Sequence, residues 1–103
     1  MPDLAIEIDK AKLRDFCQRW KITEFALFGS VTRPAEFRAD SDVDVLVRFA
    51  DAPTFDDWLS MREELIALFG RDVDLVERQG VERMRNYLRR AAILESAVLL
   101  DAA

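Results

Sequence analysis

Phe25-Ala26-Leu27-Phe28-Gly29-Ser30, a polar connector, and then Ser41-Asp42-Val43-Asp44-Val45-Leu46-Val47-Arg48-Phe49 form the stretch on which the fold turns. Four apolar residues closed by a glycine and a serine predict a strand ending in a tight turn. Beyond the connector the side chains alternate. Strand side chains have a period of two, which puts Val43, Val45, Val47 and Phe49 on one face and Asp42, Asp44, Leu46 and Arg48 on the other. Two carboxylates thus stand together on an element whose opposite face is core. They repel each other unless a cation stands between them. A divalent metal carrying nucleotide phosphates fits that need, since Mg²⁺ typically takes one or two carboxylates plus phosphate oxygens.

Upstream, Leu13, Phe16, Cys17 and Trp20 recur at helical spacing behind Asp9, a residue suited to an N-cap. Cys17 falls on this apolar stripe and reads as a small buried hydrophobe. A strand from Ile22 to Phe28 follows, and its unbroken apolar end suits a central position covered on both faces. Val31 to Ala39 is open: Ser30 could cap a short helix there, provided Pro34 falls within its first turn.

Downstream, Asp51-Ala52-Pro53 breaks the chain and Thr54 is placed to cap a helix. Its stripe is Phe55, Trp58, Leu59, Arg62, Leu65, Ile66 and Phe69, closed by Gly70. Arg71 to Glu77 predicts a third strand, with Val73 and Leu75 on one face and Asp72, Asp74 and Val76 on the other. Gln79-Gly80 reads as a turn into a last helix whose apolar side is Met84, Tyr87, Leu88 and Ala91. Ala97 to Leu100 is either a fourth strand or the end of that helix. The expected class is α/β: a small mixed sheet of three to four strands packed with helices, in one domain spanning residues 1–103.

Acidic residues outnumber basic ones 20 to 15, a net charge of −5. This balance weighs against direct nucleic-acid binding, whose affinity rests on basic surface. The single cysteine excludes an intrachain disulfide. Without a signal-like N-terminus or a long apolar run, a cytoplasmic protein with no membrane span is expected. The chain has no histidine, so acid–base chemistry falls to carboxylates. Aspartate is depleted from strands, and Asp74 within Val73-Asp74-Leu75-Val76 repeats the oddity of Asp42 and Asp44. If the third strand lies beside the second, the three acids converge on one patch.

Gly29-Ser30-x-x-Arg33, Ser41-Asp42-x-Asp44 and Val73-Asp74-Leu75-Val76, in this order, resemble the nucleotidyltransferase superfamily that includes DNA polymerase beta. More closely, the chain resembles the minimal nucleotidyltransferases, stand-alone prokaryotic domains of about this size, over essentially its whole length. The resemblance implies a polymerase beta-like palm, with Asp42, Asp44 and Asp74 as catalytic residues and ligands of two Mg²⁺ ions. It implies that Gly29, Ser30 and Arg33 bind ATP, Arg33 standing equally as phosphate contact or structural ion pair. Arg48, on the acid face, is a further candidate to balance charge. Pro34 departs from the small or flexible residue expected after Arg33.

The size leaves no residues for an acceptor-binding domain, so the acceptor is expected to be a protein recognised by its own surface. The resemblance names it: a HEPN toxin, an RNase, that receives AMP on a tyrosine. This chain would then be the antitoxin of a toxin–antitoxin pair and form a hetero-oligomer with its toxin. Two other readings stand beside it. One is an antitoxin that acts by binding alone; the other is a nucleotidyltransferase for a small-molecule hydroxyl.

Overall fold

The computed structural model describes Leu4 and residues 6–100. The first residues of the expected 1–103 span, Met1-Pro2-Asp3, lie outside the described residues, as do Ala5 and residues 101–103. Helix α1 runs Lys10–Arg19, with the Asp9 carboxylate accepting the Lys12 backbone N–H at 3.2 Å. Leu13, Phe16 and Cys17 turn inward, and burial pushes the Cys17 thiol up to about 11. Trp20 ends the helix, its indole N–H donated to Glu64. Strand β1 (Ile22–Phe28) then passes into a single 3₁₀ turn, Gly29–Thr32. Strand β2 (Val43–Phe49), helix α2 (Phe55–Phe69) and strand β3 (Val73–Glu77) follow. Two short helices, α3 (Arg78–Glu82) and α4 (Tyr87–Ser96), lead to strand β4 (Val98–Leu100).

The four strands form one mixed sheet in the order β3-β2-β1-β4. β1 is antiparallel to both its neighbours, while β2 and β3 are parallel. A parallel pair needs a crossover, and α2 supplies it. On one face Phe25, Leu27, Val43, Val45, Val47, Val73 and Leu75 pack against Leu13, Phe16, Met61 and Leu65 of α1 and α2. On the other, Ala26, Phe28 and Leu46 pack against Val81 of α3 and Ile93 of α4. β1 is thus buried on both faces, which is why its C-terminal half is apolar without alternation.

Several details differ from the sequence reading. Ser30 caps no helix: the 3₁₀ turn begins after Phe28 with no side-chain cap, and Pro34 lies beyond it in the connector. Helix α2 has its capping box at Thr54 and Asp57 and its left-handed Gly70, and Trp58, Leu65, Ile66 and Phe69 of the expected stripe pack on the core, but Phe55 and Leu59 do not. Met61 and Leu65 are buried, whereas Phe55 is 75 % and Leu59 44 % exposed. The stripe through Phe55 and Leu59 would have buried Arg62. Turned as it is, the helix leaves Arg62 at its flank, where Nε donates to the Val73 carbonyl at 3.1 Å.

Gln79-Gly80 is no turn but lies within α3, whose Val81 is fully buried. Burying that valine against Leu46 outweighs the roughly 1 kcal/mol that glycine costs a helix. The expected apolar side of the last helix holds only in part: Met84 packs on the second core, but Tyr87 and Leu88 do not. Asn86 caps α4 by accepting the Arg89 N–H, and with the phase set there Ile93 points inward while Tyr87 and Leu88 face outward. Ala97 to Leu100 resolves as a strand, with Val98, Leu99 and Leu100 paired to Leu27, Ala26 and Phe25. Among the described residues no helix is long and apolar enough to cross a membrane.

Candidate active site

The acidic residues meet at one end of the sheet. Phe28, the last residue of β1, is the register partner of Asp44, and the parallel pairing of β2 with β3 aligns Asp44 with Asp74. A backbone bond from Val43 N–H to the Asp72 carbonyl, 2.9 Å, sets this register at the entrance to both strands. Register partners on neighbouring strands project to the same face, and Asp42, two residues before Asp44, joins them. Asp44 is half-buried, whereas Asp42 and Asp74 are exposed. Partial burial pushes the Asp44 carboxyl up to about 6, and the charges of Asp74 and then Asp42 add to it, with Arg33 pulling the other way. Three carboxylates around a partly desolvated centre hold excess negative charge.

The 3₁₀ turn closes the other side. Gly29 sits at φ +73°, and a β-carbon there would come within 2.2 Å of Asp44 Oδ2. The carboxylate therefore rests on bare backbone. Thr32 Oγ1 donates to the Gly29 carbonyl at 2.6 Å, and Arg33 N–H donates to the Ser30 carbonyl at 2.9 Å. Val31, fully buried, anchors the turn and leaves Gly29 and Ser30 partly exposed at its rim. Arg33 is exposed and paired with Glu36, while its charge also reaches Asp44. Arg48 does not balance the acids. It is paired with Glu24 at 3.5 Å and Glu82 at 2.8 Å, a cluster that Arg78 completes near the far end of β2.

Sequence reasoning missed Arg71. Its Nη1 donates to the carbonyls of Arg38 and Ser41, at 3.1 and 3.2 Å, and its guanidinium lies 4.4 Å from the Phe37 ring centroid. One side chain, just ahead of β3, thus pins the connector that delivers Asp42. Pro34 takes its place in that connector, its carbonyl accepting the Phe37 N–H at 3.3 Å. No local motif marks such a role; only the proximity of Arg71 to Asp72-Val73-Asp74 hints at it.

Among the described residues no three Asp, Glu, Cys or His side chains close a metal cage by themselves. The donors nevertheless suit a hard cation. They are carboxylates, one partly desolvated and crowded by like charge, and an Mg²⁺ site typically leaves several positions for water and phosphate.

The nucleotidyltransferase domain family matches residues 10–100. The protein adenylyltransferase MntA of Thermococcus cleftensis is 36% identical over 72 residues, covering 70% of this chain and 72% of that protein. A solved structure described as a minimal nucleotidyltransferase is similar with a TM-score of 0.69 at 33% identity, covering 88% of each chain. A toxin–antitoxin crystal structure with AMP-PNP shares the fold, with a TM-score of 0.68 at 21% identity over 93% of this chain and 75% of its own. The chain belongs to the nucleotidyltransferase family, and within it to the minimal nucleotidyltransferases. It is accordingly an enzyme of nucleotidyl transfer.

Proposed function

We propose that this chain transfers AMP from ATP to a tyrosine hydroxyl of a partner HEPN RNase toxin, releasing pyrophosphate and silencing the toxin in the cytoplasm. The observation that carries this reading is the alignment of Asp44 with Asp74 beside the Gly29 turn. The relatives support it: one is named a protein adenylyltransferase, and one similar structure is a toxin–antitoxin complex with an ATP analogue.

Asp42, Asp44 and Asp74 would hold Mg²⁺, which when bound offsets the charge of the triphosphate and of the oxygens around the reacting phosphorus. Gly29, lacking a side chain, and Ser30, with its hydroxyl, form the rim on which the phosphates would rest. Asp74 accepts the tyrosine proton as the new oxygen–phosphorus bond forms and the bond to pyrophosphate breaks. A tyrosine hydroxyl titrates near 10, so at neutral pH it needs such help. The product carries an added phosphodiester charge and the bulk of adenosine, both unfavourable where an RNase must receive RNA phosphates.

The test is incubation with α-labelled ATP, Mg²⁺ and a candidate HEPN toxin, with small hydroxyl compounds in parallel. Label on a toxin tyrosine, together with loss of RNase activity, is expected. Label on a small molecule alone, or on nothing, overturns the proposal.

A further inference from the structure

The segment from Arg83 to Arg90 is the basic pole of an acidic chain. Arg83, Arg85, Arg89 and Arg90 lie close together in a sequence whose net charge is −5. None of the four is in an ion pair among the described residues, a state they share with Arg14, Arg38, Arg62 and Arg71, but only here do four such arginines fall within eight residues. Of the four side chains, only that of Arg90 makes an internal contact, to the Met84 carbonyl and the Tyr87 ring. α4 starts at Tyr87 with no acidic residue in its first turn, so Arg89 and Arg90 stand at the positive end of the helix dipole, where cations are unfavourable.

Two large side chains stand among these charges. Tyr87 is 66 % and Leu88 77 % exposed. Arg90 fixes the place of the ring, lying 5.5 Å from its centroid while Nη1 donates to the Met84 carbonyl at 3.3 Å. The opposite side of α4 packs through Ile93 onto the sheet face that carries Leu46, the acid side of β2. The helix then runs toward β4, whose Val98 pairs with Leu27 just before the Gly29 turn. The basic end of α4 therefore lies on the same side of the sheet as the acids.

We propose that Arg85, Tyr87, Leu88 and Arg89 form a docking surface for an acidic face of the protein that receives AMP, an inference that rests on the protein acceptor proposed above. Arginine and tyrosine are the residue types enriched in the energetic centres of protein interfaces. An outward leucine calls for an apolar seat, which a protein offers and a nucleic-acid backbone does not. The positive charge also stops after one helical turn, flanked by Glu82 and Glu95, rather than tracking a strand as single-stranded RNA requires. Charges placed this way steer an acidic partner and fix its orientation.

The test titrates the HEPN protein of the transfer assay into the full chain by calorimetry without ATP, at low and high salt, and then measures transfer against toxin concentration. Arg85→Glu/Arg89→Glu and Leu88→Ser are compared with wild type, melting temperatures confirm folding, and Arg85→Gln/Arg89→Gln serves if charge reversal unfolds the chain. The expected result is a Kd at least about 30-fold weaker, a KM for toxin that rises in step, and a kcat unchanged within about twofold. Wild-type affinity falls with salt. Folded variants with wild-type Kd and KM overturn the docking surface, as does wild type that fails to bind the toxin. So does a loss of affinity seen only for a 20-nucleotide RNA or for a second copy of this chain. Variant-sensitive binding without any transfer by wild type leaves the surface standing and sinks the proposed function alone.

Discussion

Asp44 lies against the backbone of Gly29, where a β-carbon would stand 2.2 Å from its Oδ2 and 3.2 Å from its carboxyl carbon. The same glycine sits at φ +73°, a conformation that side chains other than glycine reach at a cost. Space and backbone conformation therefore demand the same residue. Because Phe28 pairs with Asp44 in the sheet, the turn and the central acid form one rigid corner.

Gly29→Ala consequently does two things. The left-handed conformation costs about 1–2 kcal/mol, and the overlap pushes either Asp44 or the turn aside. The melt drops by roughly 4–8 °C for each kcal/mol in a domain of this size, while AMP transfer falls ~100-fold or more, since misplacement of about 1 Å is enough for that. Transfer that stays within a few-fold of wild type would show that the corner does not hold a reacting group.

Asp44 also ties stability to pH. Its carboxyl is raised from 3.8 to about 6 by burial and by Asp74 and Asp42, so between those values the folded chain binds more protons than the unfolded one. Stability therefore falls as pH rises through that window, and the deficit persists in full above about pH 6. Solvent screening keeps the effect on the order of 1 kcal/mol. Metal-free Asp44→Asn should melt above wild type at pH 7.5, the two curves converging toward pH 4, yet transfer no AMP. Scanning calorimetry across that range decides; an Asp44→Asn variant less stable than wild type at pH 7.5 contradicts the site as described.

The two faces of β2 differ in what they tolerate. Val45 is fully buried between α1, α2 and the sheet, and Val45→Asp should leave the chain unfolded, since a buried unpaired charge costs several kcal/mol. Arg48→Ala removes the hub of a four-residue charge cluster with Glu24, Arg78 and Glu82. Its side chain is 37% exposed, so the loss is on the order of 1 kcal/mol. Transfer should survive, because this cluster lies away from the acids. Thermal melts and transfer assays on both variants test the assignment of faces.

Arg71 holds the connector by two carbonyl bonds and one ring contact. Arg71→Ala frees Ser41, next to Asp42, and should raise the KM for MgATP several-fold while changing the melt by only a few degrees. Arg71→Lys, which lacks the planar fork that spans two acceptors, should recover little of the loss. Unchanged KM in a folded Arg71→Ala chain shows that the connector is positioned by other contacts.

Much of this architecture is legible in the residues because its signals are local. Helical spacing at Leu13, Phe16 and Cys17, caps at Asp9 and Thr54, the Gly70 stop and alternation in β2 each depend on a few neighbours. What the residues do not carry is tertiary choice. Helix α3 is too short for periodicity and contains a glycine, so only the burial of Val81 reveals it. The outward side of α4 shows the same gap: Tyr87 and Leu88 look like core until Ile93 is seen to take that place. The site was readable as acids on strands, but the parallel register that aligns Asp44 with Asp74 belongs to the pairing of distant segments.

That register gives Asp74 its proposed part as proton acceptor. Two aspartates on β3's approach share a face, Asp72 and Asp74, and sequence alone separates them poorly. The structure sets them apart: Asp74 is level with Asp44 and its charge holds the Asp44 proton on, whereas Asp72 lies at the strand entrance with its carbonyl bound to Val43 N–H. Asp74, exposed like Asp72, leaves its carboxylate open to an incoming hydroxyl. General-base help is typically worth ~10²–10⁴-fold, so Asp74→Asn should keep the fold and most of the affinity for MgATP yet lose at least about a hundredfold in transfer. The loss is partly recovered as pH rises toward 9, because solvent then removes the tyrosine proton that titrates near 10. Asp72→Asn should transfer at close to the wild-type rate. Measured side by side at pH 7 and pH 9, an inactive Asp72→Asn with a near-normal Asp74→Asn would show that Asp72, not Asp74, takes the proton.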